Sequence, residues 1–132
     1  MTTFDTPAAK NTAETISLFN DAFQRRDTEA LAALVHEDCL MVSAQPAPDG
    51  TAYVGKDACV AFWAELMEDE STTFEVHHMF SEGEWAAVRW RYRFGPTETE
   101  SVLGVNVTRV SGGRVLEQLG YTKTPGELPL PQ

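Results

Sequence analysis

Long apolar runs are absent from this sequence, and its first ten residues lack a hydrophobic segment. A membrane-spanning helix needs about 20 consecutive apolar residues, and no run in the chain approaches that length. A secretory signal needs an apolar core behind a basic start, and the polar stretch 1–10 has none. We therefore expect a cytoplasmic protein that does not enter a membrane.

Positive charge is also scarce. Ten lysines and arginines stand against twenty aspartates and glutamates, which gives a formal net charge of −10. Nucleic-acid binding depends on clustered basic side chains that neutralise phosphates, and anionic membranes attract the same residues. The composition argues against both partner classes, and the acidic excess favours solubility.

Cysteines and histidines are too few and too scattered for a familiar metal site. Cys39 and Cys59 form no CxxC pair, and we expect free, buried thiols that pack as small hydrophobes. His77 and His78 are adjacent on a predicted strand, so they point to opposite faces and cannot share one metal without distortion. The sequence also has no GxGxxG or P-loop motif, and we expect no metal and no cofactor.

What the chain does contain is typical of one small domain. With 132 residues, 42% of them hydrophobic, it can bury a core without disulfides. We expect a flexible N-terminus over residues 1–10 and a single domain over residues 11–123. Residues 124–132 contain three prolines and are predicted to form an irregular tail.

The first half is predicted to be mainly helical. Asn11 and Glu14 have the spacing of a capping box, and an apolar stripe follows at Ile16, Phe19 and Phe23. Arg25 and Arg26 are expected in the last turn, where cations interact favourably with the helix dipole. Asp27 is expected to cap a second helix. The apolar stripe of that helix is predicted at Leu31, Leu34 and Val35.

A short strand over residues 40–44 and a loop over residues 45–55 precede the predicted third helix. Its apolar face consists of Cys59, Phe62, Trp63 and Leu66. The second half is predicted to form strands over residues 72–80, 85–94, 101–110 and 114–123. In the first of these, one face is predicted to carry Phe74, Val76, His78 and Phe80. Helices followed by an antiparallel meander predict an α+β fold.

Four segments, in this order, resemble a known family: 19–38 (FNDAFQRRDTEALAALVHED), 53–62 (YVGKDACVAF), 83–93 (GEWAAVRWRYR) and 104–123 (GVNVTRVSGGRVLEQLGYTK). The chain resembles the SnoaL-like branch of the nuclear-transport-factor-2-like superfamily. The resemblance implies a cone-shaped half-barrel, in which N-terminal helices pack in the concave face of a strongly curved mixed or antiparallel sheet. It implies a pocket at the open end and a homodimer formed through the outer sheet face. Because one fold hosts many functions, the pocket residues are judged individually.

Relatives in this family include ketosteroid isomerases, limonene-epoxide hydrolases, polyketide cyclases and non-catalytic binders. The resemblance places Phe19 at the acidic tyrosine of isomerase-like members and Ser43 at their aspartate base. It places Asn106 at a second oxyanion donor, which is an aspartate in those members. Asn106 can donate a hydrogen bond but cannot move a proton. All three positions depart from the pattern, which argues against steroid-isomerase chemistry.

Epoxide-hydrolase-like members use an Asp-Arg-Asp set to activate water. The Arg-x-Asp portion falls on Arg91-Tyr92-Arg93, where the arginine is present and the aspartate is not. The other aspartate again maps to Asn106. Activation of water needs a carboxylate or an imidazole within hydrogen-bond reach, so the resemblance also weakens the hydrolase hypothesis.

Two orientations are open for the strand over residues 85–94. Arginines and aromatic residues alternate along it, at Arg89, Arg91 and Arg93 and at Trp90, Tyr92 and Phe94. The pattern by itself favours buried aromatic residues and exposed arginines. The resemblance instead points Arg91 into the pocket and puts the aromatic residues under a dimer partner. A buried arginine would need a carboxylate or an anionic ligand.

We expect a small-molecule pocket protein. The first hypothesis is a cofactor-independent isomerase, cyclase or hydratase acting on a hydrophobic cyclic or aromatic compound. The alternatives are a non-catalytic binding protein and a dimeric interaction or assembly domain. Arg91 is the candidate for stabilising negative charge, Asn106 for orienting the substrate and His78 for carrying a proton. The predicted substrate-binding residues are Phe19, Phe23, Phe62, Trp63, Trp90, Tyr92 and Gln118.

Overall fold

The computed structural model describes residues 11–124. The predicted flexible N-terminus lies outside the described residues, and so does the predicted tail beyond Thr124. Three helices and six strands follow one another in this part of the chain. They are α1 Thr12–Gln24, α2 Thr28–Ala32, β1 Val35–Val42, β2 Ala52–Val54, α3 Lys56–Glu68, β3 Thr73–Glu82, β4 Trp85–Arg93, β5 Ser101–Ser111 and β6 Arg114–Thr122.

The first two helices begin where the sequence predicts. Asn11 Oδ1 accepts a hydrogen bond from Glu14 N at 2.7 Å, and the Glu14 carboxylate accepts one from Asn11 N at 3.3 Å. The predicted capping box is therefore confirmed. Asp27 caps α2, accepting from Ala30 N at 3.1 Å. The buried face of α1 consists of Thr15, Ile16, Phe19 and Ala22.

The two arginines after α1 lie beyond its last turn, so their predicted place inside that turn is wrong. Arg25 is the C-cap residue of α1. Arg26 has a φ of 59°, in the left-handed region, which turns the chain and directs its side chain to another helix. The Arg26 guanidinium donates to three backbone carbonyl oxygens, those of Met67, Asp69 and Thr72. It therefore covers the C-terminal end of α3.

The first strands occupy more of the chain than predicted. Val35 was expected on the apolar stripe of the second helix, but α2 ends at Ala32 and Val35 begins β1. Within the predicted loop 45–55, residues 52–54 form the edge strand β2, in which Tyr53 lies opposite Met41. This short segment is a strand because it pairs with β1, and no local sequence pattern predicts such pairing.

The six strands form one curved, unclosed sheet in the order β2-β1-β6-β5-β4-β3. Neighbouring strands are antiparallel except β1 and β6, which are parallel, so the sheet is mixed. Helix α1 packs against β3 to β6, and α3 packs against β1 and β2. The helices thus cover one face of the sheet, called the inner face below. This is the predicted α+β architecture.

A bulge in β3 reverses the alternation of its side chains. Val76 pairs with Trp90, and His78 pairs with the next residue of β4, Arg89, so His77 is an extra residue without an opposite partner. Residues after the bulge therefore exchange faces. The prediction that His78 and Phe80 share a face with the residues before them is wrong.

Two smaller predictions are confirmed. The β5–β6 hairpin turns at Gly112 and Gly113, both with positive φ, which is the conformation of the glycine-rich turns that match strand twist. Cys39 and Cys59 are buried and free, and burial raises the pKa of both thiols.

None of the helices between residues 11 and 124 is long and apolar enough to span a membrane.

Candidate functional site

The register of β4 decides which of its faces meets the helices. Val88 and Trp90 are buried on the inner face, whereas Arg89 is exposed on the outer face. The orientation favoured by the sequence pattern is therefore confirmed for Trp90 and Arg89. The orientation implied by the resemblance, with the aromatic residues under a dimer partner, is wrong for Trp90. Arg91 follows the outer register, but it stands near the end of the strand and lines the mouth of a cavity.

That cavity measures about 960 Å³ and opens between the inner face of the sheet, α1 and α3. Every helix and strand except α2 contributes to its lining. The wall is largely aromatic and includes Phe19, Phe23, Tyr53, Phe62, Trp63, Phe74, Trp90, Tyr92 and Phe94. Pockets for small organic molecules commonly measure about 300–1,000 Å³ and have apolar walls.

The aromatic side chains support one another around the cavity. Phe19 of α1 meets Trp63 of α3 edge-on, with ring centroids 5.0 Å apart. Phe74 of β3 lies 5.2 Å from Trp90 and 4.6 Å from Tyr92, both on β4. Aromatic pairs of this kind contribute about 0.5–1.5 kcal/mol beyond the area they bury. These aromatic contacts keep the cavity wall in place in the absence of a ligand.

Trp90 packs against Gly104, the residue opposite it on β5. A methyl group at position 104 would overlap the six-membered ring of the indole, so the absence of a side chain there makes room for Trp90. Trp90 Nε1 is buried and has no hydrogen-bond partner among residues 11–124. A buried, unpaired donor costs about 1–3 kcal/mol.

The cavity has a polar end where β5 and β6 pair. Gln118 is buried, and its Oε1 accepts a hydrogen bond from Thr108 Oγ1 at 3.3 Å, which fixes the amide with Nε2 as its remaining donor. Asn106 offers a second amide, and Gly120 lies opposite it. The point where a Cβ would stand at Gly120 is 3.2 Å from Asn106 Oδ1 and 3.4 Å from Ala44 N. The glycine therefore leaves a small polar niche.

The mouth of the cavity lies where β4 ends, β5 begins and β6 ends. Arg91 Nη1 donates to Ser101 Oγ at 2.6 Å, and both residues line the cavity together with Lys123. No aspartate, glutamate or histidine among residues 11–124 lines it. The described lining thus lacks the residue types that most often carry protons in catalysis. Nowhere in this part of the chain do three such side chains or cysteines gather to hold a metal ion.

All of the predicted site residues except His78 line this one cavity. Their catalytic and binding roles stay predictions. His78 is exposed on the outer face, and its ring centroid lies 4.5 Å from that of Phe80. The bulge in β3 puts it there, so the prediction that places a proton carrier in the cavity at His78 is wrong. Phe19, Ser43 and Asn106, which the resemblance aligned with catalytic positions, all line the cavity.

Tyr53 and Lys123 are among the lining residues that sequence reasoning missed. Tyr53 was expected in a loop, and its place in the lining follows from the pairing of β2 with β1. Lys123 reaches the mouth because its backbone N donates to Leu103 O at 3.0 Å, and Leu103 lies opposite Arg91. Both placements depend on pairing between distant segments, for which a single sequence carries no periodic signal.

The model of the SnoaL-like domain family matches residues 16–118, which is most of the chain. The chain belongs to the SnoaL-like domain family. No curated protein matches the sequence significantly.

Solved structures agree with this SnoaL-like assignment. An NTF2-like protein of unknown function from Mesorhizobium loti is 39% identical, with a TM-score of 0.79 over 88% of this chain and 93% of that chain. A proposed polyketide cyclase from Sinorhizobium meliloti is 19% identical, with a TM-score of 0.67 over 91% and 99%. A proposed ketosteroid isomerase from Kribbella flavida is 21% identical, with a TM-score of 0.72 over 91% and 83%. The likeness to the last two structures shows that they share the fold of this SnoaL-like domain, and it shows nothing about function.

Proposed function

We propose that this SnoaL-like domain binds a hydrophobic cyclic or aromatic small molecule. The observation that carries the proposal is the cavity of about 960 Å³ with largely aromatic walls. Protein interiors are close-packed and keep few voids larger than a water molecule. An open apolar cavity of this size, lined by side chains that pack against one another, supports a binding site for a small molecule.

The polar end gives the ligand an orientation. Gln118 Nε2 can donate to a carbonyl or hydroxyl oxygen, and Asn106 Oδ1, which faces the niche at Gly120, can accept from a hydroxyl group. Thr108 holds the Gln118 amide in place, so little side-chain freedom is lost when the ligand binds. An apolar wall with a few placed polar groups is the usual arrangement of small-molecule sites.

Catalysis of the isomerase, cyclase or hydratase type is the second candidate function. An amide donor such as Gln118 Nε2, at one end of an apolar cavity, can stabilise negative charge that develops on a carbonyl oxygen. The fold is shared with the proposed cyclase and the proposed isomerase described above. However, the described lining contains no aspartate, glutamate or histidine to carry a proton. Binding therefore ranks first.

Titration with N-phenyl-1-naphthylamine, a neutral fluorescent aromatic probe, tests the binding proposal. We expect a saturable increase in fluorescence and a higher Tm. A ligand that binds only the native state adds about 2.7 kcal/mol to the free energy of unfolding at one hundred times its Kd. A thermal-shift screen of aromatic, terpenoid and polyketide-like compounds then narrows the ligand class.

Two tryptophan variants supply the control. Val102 lines the cavity, so Val102→Trp fills part of it and should weaken probe binding. Val54 is 76% exposed on the edge strand β2 and does not line the cavity, so Val54→Trp should leave binding unchanged. The proposal fails if the folded wild-type protein shows neither saturable probe binding nor a thermal shift with any compound.

The catalytic candidate has its own test. A cyclic ketone that binds is incubated with the protein in D₂O, and exchange of its α-hydrogen is followed by NMR. Exchange faster than in buffer, abolished in Val102→Trp, would support proton-transfer catalysis in the cavity. Binding without faster exchange would leave a non-catalytic binding protein.

We also propose that two copies pair through the outer face of the sheet. Val107 of β5 and Leu119 of β6 lie opposite each other on that face, next to Tyr121, which is 53% exposed. Light scattering coupled to size exclusion should give twice the chain mass. Val107→Glu should give monomers because it buries a charge at the interface. A monomeric wild-type protein at high concentration would refute the pairing.

A further inference from the structure

The charged residues that line the cavity all carry the same sign. Among residues 11–124 they are Arg91 and Lys123, and no carboxylate joins them. This is unexpected for a chain with twenty acidic and ten basic residues and a net charge of −10. The charged side chains in the described lining are therefore both cations, although the protein as a whole is acidic.

The fold brings these two cations together from different strands. Arg91 on β4 lies opposite Leu103 on β5, and Lys123 follows β6 with its backbone bonded to Leu103 O at 3.0 Å. The two basic residues thus flank Leu103 on neighbouring strands, at the same end of the sheet. Ser101 and Thr122, which also line the cavity, add hydroxyl groups between and beside them.

Neither cation is neutralised within the described part of the chain. Three arginines, Arg25, Arg93 and Arg109, have carboxylate partners within 4 Å. Arg91 instead donates to the hydroxyl of Ser101. Glu75 lies opposite Arg91 in the register, but its carboxylate is engaged by Arg93 and His77.

We propose that the ligand is an organic anion, with its apolar body in the cavity and its carboxylate, sulfonate or phenolate group at the mouth between Arg91 and Lys123. This inference rests on the proposed binding function and adds the charge of the ligand to it. The half-buried Arg91 has no carboxylate partner among residues 11–124, and a bound anion would supply a counter-ion. Arginine suits the role because its planar donors match two oxygens at once.

A pair of probes that differ by one anionic group tests the inference. 1-Anilinonaphthalene-8-sulfonate is N-phenyl-1-naphthylamine with an added sulfonate. The quantity measured is the Kd of the neutral probe divided by the Kd of the sulfonate probe, in wild type and in Arg91→Gln, Lys123→Gln and the double variant. Each lost cation should lower this ratio about three- to tenfold, because a charge pair near a surface contributes that much to the binding of the sulfonate probe.

Arg89→Gln is the matched control. Arg89 lies on the same strand and the same face as Arg91 but is exposed and does not line the cavity. The Arg89→Gln substitution removes the same charge from the whole protein, so it should not change the ratio of the two Kd values. Thermal melts check that each variant folds. Should Arg91→Gln fail to fold, the exposed Lys123→Gln still tests the inference.

The outcomes separate the two proposals. A ratio that falls in the mouth variants and not in Arg89→Gln supports the anionic ligand. Saturable binding of the neutral probe with an unchanged ratio in the double variant overturns the anion and keeps the binding function. Failure of both probes to bind the folded wild-type protein, together with no thermal shift with any compound of the screen, overturns both.

Discussion

Replacing Gly104 by alanine tests whether the indole of Trp90 depends on a missing side chain. The added Cβ would stand 2.6 Å from Cζ2 and 2.7 Å from Cζ3 of Trp90, and nearer still to Cη2. Non-bonded carbons prefer about 3.5–4.0 Å, so the indole or the strand has to move. Trp90 is only 6% exposed and is held by Phe74 on its other side, so it has little room.

The magnitude follows from two opposing effects. Overpacking a close-packed core costs about 1–3 kcal/mol. Alanine in place of glycine inside a strand raises the free energy of unfolding by roughly 0.5–1 kcal/mol, because glycine loses more conformational freedom on folding. We expect a net loss of about 1–2 kcal/mol in the free energy of unfolding for Gly104→Ala. In a domain of this size, that loss lowers the Tm by about 4–8 °C.

A double-mutant cycle identifies the cause. Phenylalanine lacks the outer ring atoms that meet the new Cβ, so Gly104→Ala should cost much less in a Trp90→Phe background. Trp90→Phe also removes the buried Nε1 that has no partner in the described chain. Urea unfolding followed by far-UV circular dichroism gives the four free energies, and we expect a coupling energy of about 1–2 kcal/mol.

Gly120→Ala serves as the matched control. Gly120 is also on the cavity face, and a Cβ there would have 3.2 Å to Asn106 Oδ1 and 3.4 Å to Ala44 N, so it nearly fits. It should cost little stability but fill the polar niche and weaken ligand binding. Equal losses for Gly104→Ala in the wild-type and Trp90→Phe backgrounds would refute the reasoning.

Three further predictions concern other parts of the fold. Arg26→Ala removes the donors to the carbonyls at the end of α3. We expect the free energy of unfolding in urea to fall by about 1–2 kcal/mol, which is more than for Arg25→Ala. Equal losses in the two variants would contradict this role. The hydrogen bond from Ala30 N holds the pKa of Asp27 below its ordinary value of 3.8. Its contribution to stability is therefore full above about pH 5 and is lost as the pH falls through the folded-state pKa. The Tm advantage of wild type over Asp27→Asn should shrink in acid, and a difference independent of pH would exclude this linkage. Burial raises the pKa of Cys39 and Cys59, so both should react with a thiol reagent slowly in the native state and rapidly in denaturant; fast native labelling would show that they are accessible.

Local chemistry made several features predictable. The capping box at Asn11 and Glu14 needs residues only three apart, and the glycine turn of the last hairpin needs only neighbours. In β4 the alternation of arginine with aromatic residues favoured the face on which Trp90 is buried, because side chains of a strand alternate between faces. The order of helices and strands and the family resemblance identified the α+β fold.

Other features depended on segments far apart in the chain. The extra residue His77 is visible only as a mismatch between β3 and β4, and that mismatch removes His78 from the cavity. Tyr53 lines the cavity because β2 pairs with β1. Arg26 acts on a helix some forty residues away, and its left-handed backbone is not encoded by any local motif.

The sequence by itself determined most of the elements, the apolar stripe of α1 and nine of the residues that line the cavity, because these depend on spacing along one segment. The tertiary structure alone decided the bulge, the pairing of Gly104 with Trp90 and the meeting of Arg91 with Lys123 at one mouth. Register between strands fixes those contacts, and register is a property of two segments at once.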